Sequence, residues 1–134
     1  MEAALTRLVW QRAKNRCEYC QMDQAFDDAP YEIDHIIARK QGGPTVASNL
    51  ALSCFYCNSF KGSDLSSLDP QRRKLTPLFN PRRHKWGKHF LWQGAYLIGR
   101  TPVGRVTVAL LHINDDYRVE LREGLIEEGI FPPA

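Results

Sequence analysis

Four cysteines, an adjacent Asp–His pair and two asparagines hold most of the chemistry open to this sequence. The cysteines fall in two pairs, Cys17-x2-Cys20 and Cys54-x2-Cys57, with none left over. A two-residue spacer lets both thiolates of one knuckle reach the same tetrahedral ion, and two knuckles complete an S4 shell with bonds of ~2.3 Å. Disulfides are the competing use, disfavoured because the chain reads as cytosolic, where thiols stay reduced. A redox pair needs one C-x-x-C inside a thioredoxin-like unit, and no such unit is apparent. The sequence therefore predicts structural zinc on Cys17, Cys20, Cys54 and Cys57. Four thiolates leave no open position, so this ion staples the fold rather than catalysing. The 33 residues between the knuckles exceed the ~12–20 of an ordinary finger or ribbon, so a substructure of its own must lie there.

That insert contains Tyr31-Glu32-Ile33-Asp34-His35-Ile36-Ile37, then Gly42-Gly43 and Asn49-Leu50, and the second knuckle continues as Cys57-Asn58-x2-Lys61-Gly62. On a regular strand Asp34 and His35 face opposite sides, leaving one for a cation and the other for proton chemistry. Asn58, beside a zinc ligand at a helix start, can bring an amide oxygen to the same cation. Carboxylate and amide oxygens suit Mg²⁺ or Mn²⁺ better than zinc. Each residue also has a plainer use. An Asp–His pair can simply sit on a surface, Asn49 can tie down a turn, Asn58 can cap a helix and Lys61 can be a solvated cation.

As a whole, residues 17–62 resemble the HNH endonucleases of the ββα-metal class, in the subgroup framed by two C-x2-C knuckles. The resemblance runs through Cys17, Cys20, Glu32, Asp34, His35, Gly42, Gly43, Asn49, Leu50, Cys54, Cys57, Asn58 and Lys61. The intervals of 14 residues from His35 to Asn49 and 9 from Asn49 to Asn58 are of the family type. A later segment, from Leu78 through Arg105, is similar to the C-terminal part of some small stand-alone bacterial members. The last motif position is Asn58 rather than histidine, a variant that leaves metal binding in place.

The resemblance implies a metal-dependent hydrolysis of DNA phosphodiesters, RNA not being excluded. His35 would be the general base, Asp34 and Asn58 would hold one Mg²⁺ or Mn²⁺, and Asn49 would pin the loop that orients His35. Products would carry 5′-phosphate and 3′-hydroxyl ends, and one centre per chain implies nicking. Lys61, Arg39 and Lys40 would contact phosphates near the cleaved bond, with Arg82, Arg83 and Lys85 gripping the duplex further away. No separate recognition module is evident, so affinity should rest on salt-sensitive phosphate contacts. The alternative is a non-catalytic, zinc-stabilised module that binds nucleic acid on the same scaffold.

Hydrophobic periodicity supplies the elements that position these residues. Leu5, Leu8, Val9 and Ala13 mark a helix over 3–15. The alternation of Tyr31–Ile37 favours a strand and Leu50–Ser53 a second, with a short helix from Tyr56 to Lys61 stopped at Gly62. Residues 63–84, with Pro70, Pro77 and Pro81, read as mostly irregular. Phe90–Trp92 and Ala95–Ile98 flank a hairpin turn at Gln93-Gly94. Thr101-Pro102 opens a helix through about Ile113, and a last helix spans about Asp115–Glu128, ending at Gly129. The fold class is α+β, a ββα-metal core stapled by zinc with flanking helices and a small C-terminal hairpin.

The chain has 134 residues and is 43% hydrophobic, enough for one domain but not for two independent cores. It divides by charge into 1–62, which balances, 63–105, net +7, and 106–134, net −4. The basic middle third, interleaved with Phe79, Trp86, Phe90 and Trp92, has the composition of a phosphate-backbone contact surface, although a solvated loop would look the same. No stretch approaches the ~20 apolar residues of a membrane helix. The first sixteen residues lack the apolar centre of a secretion signal, so a soluble, cytoplasmic protein is expected. Nothing fixes monomer or homodimer.

Overall fold

The computed structural model describes residues 1–133 and folds the chain into two compact units. The first comprises Met1–Leu65 with Asn80–Arg83, the second Ser66–Phe79 and His84 onward. Helices and three separate two-stranded antiparallel sheets make the class α+β.

In the first unit, α1 (Ala3–Ala13) buries Val9 and Ala13. It stops two residues before the expected end at 15, because Lys14 and Asn15 turn to φ of 56° and 61° and fold their N–H groups back onto Gln11 and Trp10 carbonyls. Arg12 donates to the Ala47 and Leu50 carbonyls at 2.8 and 2.5 Å, tying α1 to the start of β2 (Leu50–Ser53). β2 is buried at every position, which explains why Leu50, Ala51 and Leu52 run without a polar alternation. It pairs with β1 (Glu32–His35), with Glu32 opposite Ser53 and His35 opposite Leu50. The chain then enters α2 (Phe55–Lys61), capped by Cys54 and closed by Gly62, whose N–H returns to the Asn58 carbonyl. β1, β2 and α2 are the ββα element, packed on Val9, Tyr19, Met22, Leu50 and Leu52.

The second unit departs more from the sequence reading. Residues 63–84 are not mostly irregular, since β3 (Ser66–Leu68) and β4 (Leu75–Pro77) form a hairpin. The prolines mislead because Pro70 lies in its turn and Pro77 closes a strand paired on one side only, where a missing N–H is tolerated. Buried Asp69 builds that turn, accepting from Gln71 N–H and from the guanidiniums of Arg72 and Arg105. After a short α3 (Trp86–His89), β5 (Phe90–Gln93) and β6 (Tyr96–Gly99) form a second hairpin. Its turn is Gly94-Ala95, one residue later than expected, with Gly94 taking the positive φ of 59°.

α4 (Pro102–Leu110) is capped by Thr101, whose hydroxyl accepts from Gly104 N–H at 3.1 Å. It ends three residues before Ile113. α5 (Asp116–Glu127) buries Arg118 and Arg122, which satisfy carbonyls of Leu111, Ala95 and Ile113. Phe79, Phe90, Leu97, Val106, Leu111 and Ile113 form this unit's core. Among the described residues no helix is long and apolar enough to cross a membrane.

Candidate functional site

The four cysteine sulfurs converge. Their Sγ atoms all lie within 4.8 Å of one another, and each residue is at most 2% exposed. Cys20 and Cys54 Sγ are 3.8 Å apart, nearly twice a disulfide bond and about the edge of a tetrahedron with ~2.3 Å bonds to zinc. The peptide N–H groups of Cys20 and Cys57 point at Cys17 and Cys54 Sγ, at 3.5 and 3.4 Å. Burial pushes the Cys17 thiol well above its ordinary range, and hydrogen bonds from the three neighbouring cysteines do the same to Cys54. Such crowded, buried thiols lose their protons to a cation in their midst. The donor set therefore fits zinc, and all four positions of its shell are filled.

The first knuckle reaches directly to β1. Tyr19, between Cys17 and Cys20, is 1% exposed and donates its hydroxyl to Asp34 Oδ2 at 2.8 Å. Lys61 Nζ approaches the same carboxylate from α2, 3.2 Å from Oδ2, and also donates to the carbonyls of His35 and Ile36 at 3.3 and 3.1 Å. Burial raises the Asp34 pKa, opposed by the Lys61 charge and the Tyr19 hydrogen bond. Lys61 was expected at a phosphate; it is 2% exposed and holds the strand end from behind.

His35 turns the other way. Its Nε2 meets Thr45 Oγ1 at 2.8 Å. The loop that carries Thr45 is tied down by buried Asn49, which accepts from Ile37 N–H at 2.9 Å and donates to the carbonyls of Ile37 and Pro44 at 3.0 and 2.9 Å. With Ile36 N–H on the Asn49 carbonyl at 2.8 Å, the Asn49 side chain prolongs the β1–β2 ladder by imitating a backbone. Gly43 packs so tightly into this loop that an added Cβ would lie 1.7 Å from the Ile37 carbonyl oxygen.

Asn58 Nδ2 pairs with Glu32 Oε2 across the solvent-exposed end of β1 and α2. Glu32 and Asp34 alternate onto one face of β1, while Asn58 and Lys61, three apart, share one face of α2. The two faces meet as Glu32–Asn58 and Asp34–Lys61. Carboxylate and amide oxygens here are the donor chemistry of a hard divalent cation.

The basic residues divide. Arg39 and Lys40 are exposed on a one-turn helix just after β1. Arg82 is ion-paired with Glu18, and Arg83 beside it is exposed. Lys85 is exposed but belongs to the second unit, where Arg105 and Arg72 are taken up by Asp69.

The segment that carries the knuckles, β1, β2 and α2 matches the family described as HNH endonuclease over residues 17–64. The chain is also similar to the Septu protein PtuB of Bacillus thuringiensis, 27% identical over 106 residues that make up 78% of this chain and 38% of that protein. It thus spans less than two fifths of the length of this relative. No solved structure matches it.

Within the HNH segment, sequence reasoning passed over Tyr19 and Thr45 as partners of the motif residues, and counted Glu32 in the resemblance without giving it a role. For Glu32 a signal existed, its two-residue spacing from Asp34. Tyr19 and Thr45 are 15 and 10 residues from their partners, and only the folded loops bring them there.

Proposed function

We propose that the HNH segment is a metal-dependent endonuclease that hydrolyses DNA phosphodiesters and nicks one strand per event. The observation that supports this most is the arrangement around β1. It sets an imidazole on one side and a carboxylate–amide set on the other, joined to the cysteine cluster through the Tyr19–Asp34 hydrogen bond and through Asn58 next to Cys57. His35, whose Nε2 meets Thr45, takes the proton from the attacking water. Imidazole changes protonation near neutral pH and suits that task. Asp34 and Asn58 would hold one Mg²⁺ or Mn²⁺. When bound, that ion supplies charge stabilisation to the phosphodiester as negative charge grows on its oxygens.

Asn49 keeps the loop beyond His35 in place, and exposed Arg39, Lys40 and Arg83 contact backbone phosphates. Lys61 acts behind Asp34 instead of at the phosphate. Water attack that expels the 3′ oxygen leaves 5′-phosphate and 3′-hydroxyl ends. Ligation of purified products by a DNA ligase, without kinase or phosphatase treatment, tests this directly. Ligatable ends are the expected result, and ends that need phosphate moved from 3′ to 5′ before joining overturn this reading.

A further inference from the structure

We propose that Glu32 is a ligand of the divalent ion, acting beside Asn58 at the solvent end of β1 and α2; this rests on the nuclease reading above. The two acidic residues on this face of β1 differ in what already surrounds them. Asp34 has Tyr19 Oη at 2.8 Å and Lys61 Nζ at 3.2 Å from Oδ2, and Lys61 lies 3.3 Å from Oδ1 as well. Its negative charge is matched by a buried ammonium before any ion arrives. A cation bound to Asp34 alone therefore sits close to Lys61 with no net negative charge to hold it.

Glu32 supplies the missing charge. It is exposed, carries no basic partner among the described ion pairs, and its Oε2 meets the Asn58 side-chain amide. A half-turn of that amide exchanges its nitrogen for Oδ1 and sets a carboxylate oxygen and an amide oxygen side by side at the solvent end of the site. Mg²⁺ and Mn²⁺ favour one or two carboxylates, keep several waters and leave room for substrate phosphate. An exposed carboxylate suits that partly hydrated state better than one sealed behind Tyr19. Asp34, fixed by Tyr19 and Lys61, then defines the inner wall of the ion's position.

The test measures Mn²⁺ binding to the full, zinc-loaded chain by the loss of the free-ion electron paramagnetic resonance signal, without DNA. Glu32→Gln is expected to raise the Mn²⁺ Kd about tenfold or more, as is Asn58→Ala. Glu32→Asp should recover part of the affinity. The melting temperature and zinc content should stay at wild-type values. Glu2→Gln, which removes an exposed acid just before α1, controls for long-range charge and should leave the Kd unchanged. Wild-type affinity in Glu32→Gln overturns the assignment, as does an equal loss in Glu2→Gln. Wild-type protein that binds no Mn²⁺ overturns the nuclease reading itself, which keeps the two failures distinct.

Discussion

Lys61 Nζ lies 3.2 Å from Asp34 Oδ2, with side chains 3% and 5% exposed, and also caps the carbonyls of His35 and Ile36. One ammonium thus fixes the strand end from which both Asp34 and His35 project. Replacing it with Met leaves a buried carboxylate without its cation, a change that costs about 3–5 kcal/mol. Urea unfolding of Lys61→Met should show that loss, and Asp34→Asn added to it should recover part. The salt slope of DNA binding should be unchanged in the single variant, because Lys61 is too buried to release a counterion from DNA.

Zinc removal should act on the whole ββα element. The knuckles join the α1–β1 connection to the start of α2, and structural zinc in small domains contributes on the order of 10 kcal/mol. Cys54 Sγ also caps α2 by accepting from Cys57 N–H; Cys54→Ser keeps an oxygen able to fill that role, so its loss of stability reports on the zinc. Circular dichroism melting with and without a chelator checks this; both perturbations should lower the midpoint sharply. Zinc uptake should release protons, and affinity should weaken as pH falls, since the thiols must ionise to bind.

Gly43 gives a test confined to the loop beside His35. With a methyl group placed 1.7 Å from the Ile37 carbonyl oxygen and 2.9 Å from Asn49 Nδ2, Gly43→Ala must displace the loop. Cleavage should fall by two orders of magnitude or more, in line with the sensitivity of reactions to small misplacements, while the distant cysteine cluster keeps its zinc. Metal analysis alongside single-turnover kinetics separates the two outcomes.

Asp69 predicts an acid sensitivity of the second unit. Hydrogen bonds from Arg105, with further help from Gln71 and Arg72, hold its carboxyl well below the usual range. A depressed folded-state pKa means that the stabilisation is complete above the unfolded value of ~3.9 and fades as pH falls toward the folded one. Asp69→Asn should be less stable at neutral pH and should lose that dependence below about pH 4. Acid titration followed by tryptophan fluorescence reads this, with Trp86 and Trp92 reporting from the same unit.

The ββα element was legible because its signals are local. Cysteine spacing, the alternation through His35, the apolar run of Leu50–Leu52 and Gly62 as a stop each act within a few residues. The β3–β4 hairpin was not. Its prolines occupy positions that a hairpin tolerates, and its turn depends on Asp69 meeting Arg105, 36 residues away. The same limit applied at the site. Nothing near Lys61 in sequence marks it as a partner of Asp34, 27 residues earlier, and a lysine after a zinc knuckle reads as a surface charge until the fold buries it. The basic third was visible as composition, but its division into paired Arg72, Arg82 and Arg105 and exposed Arg83 and Lys85 required knowing that the fold brings Asp69 and Glu18 to the first three.

The most direct test of the account is conversion of supercoiled plasmid to open circle by the zinc-loaded chain in Mg²⁺ or Mn²⁺. The account predicts nicking that EDTA abolishes and that His35→Ala reduces by roughly 10²–10⁴-fold with fold and zinc content intact. Folded, zinc-loaded protein that leaves the plasmid supercoiled with either ion, or cleavage that persists undiminished in His35→Ala, would contradict it.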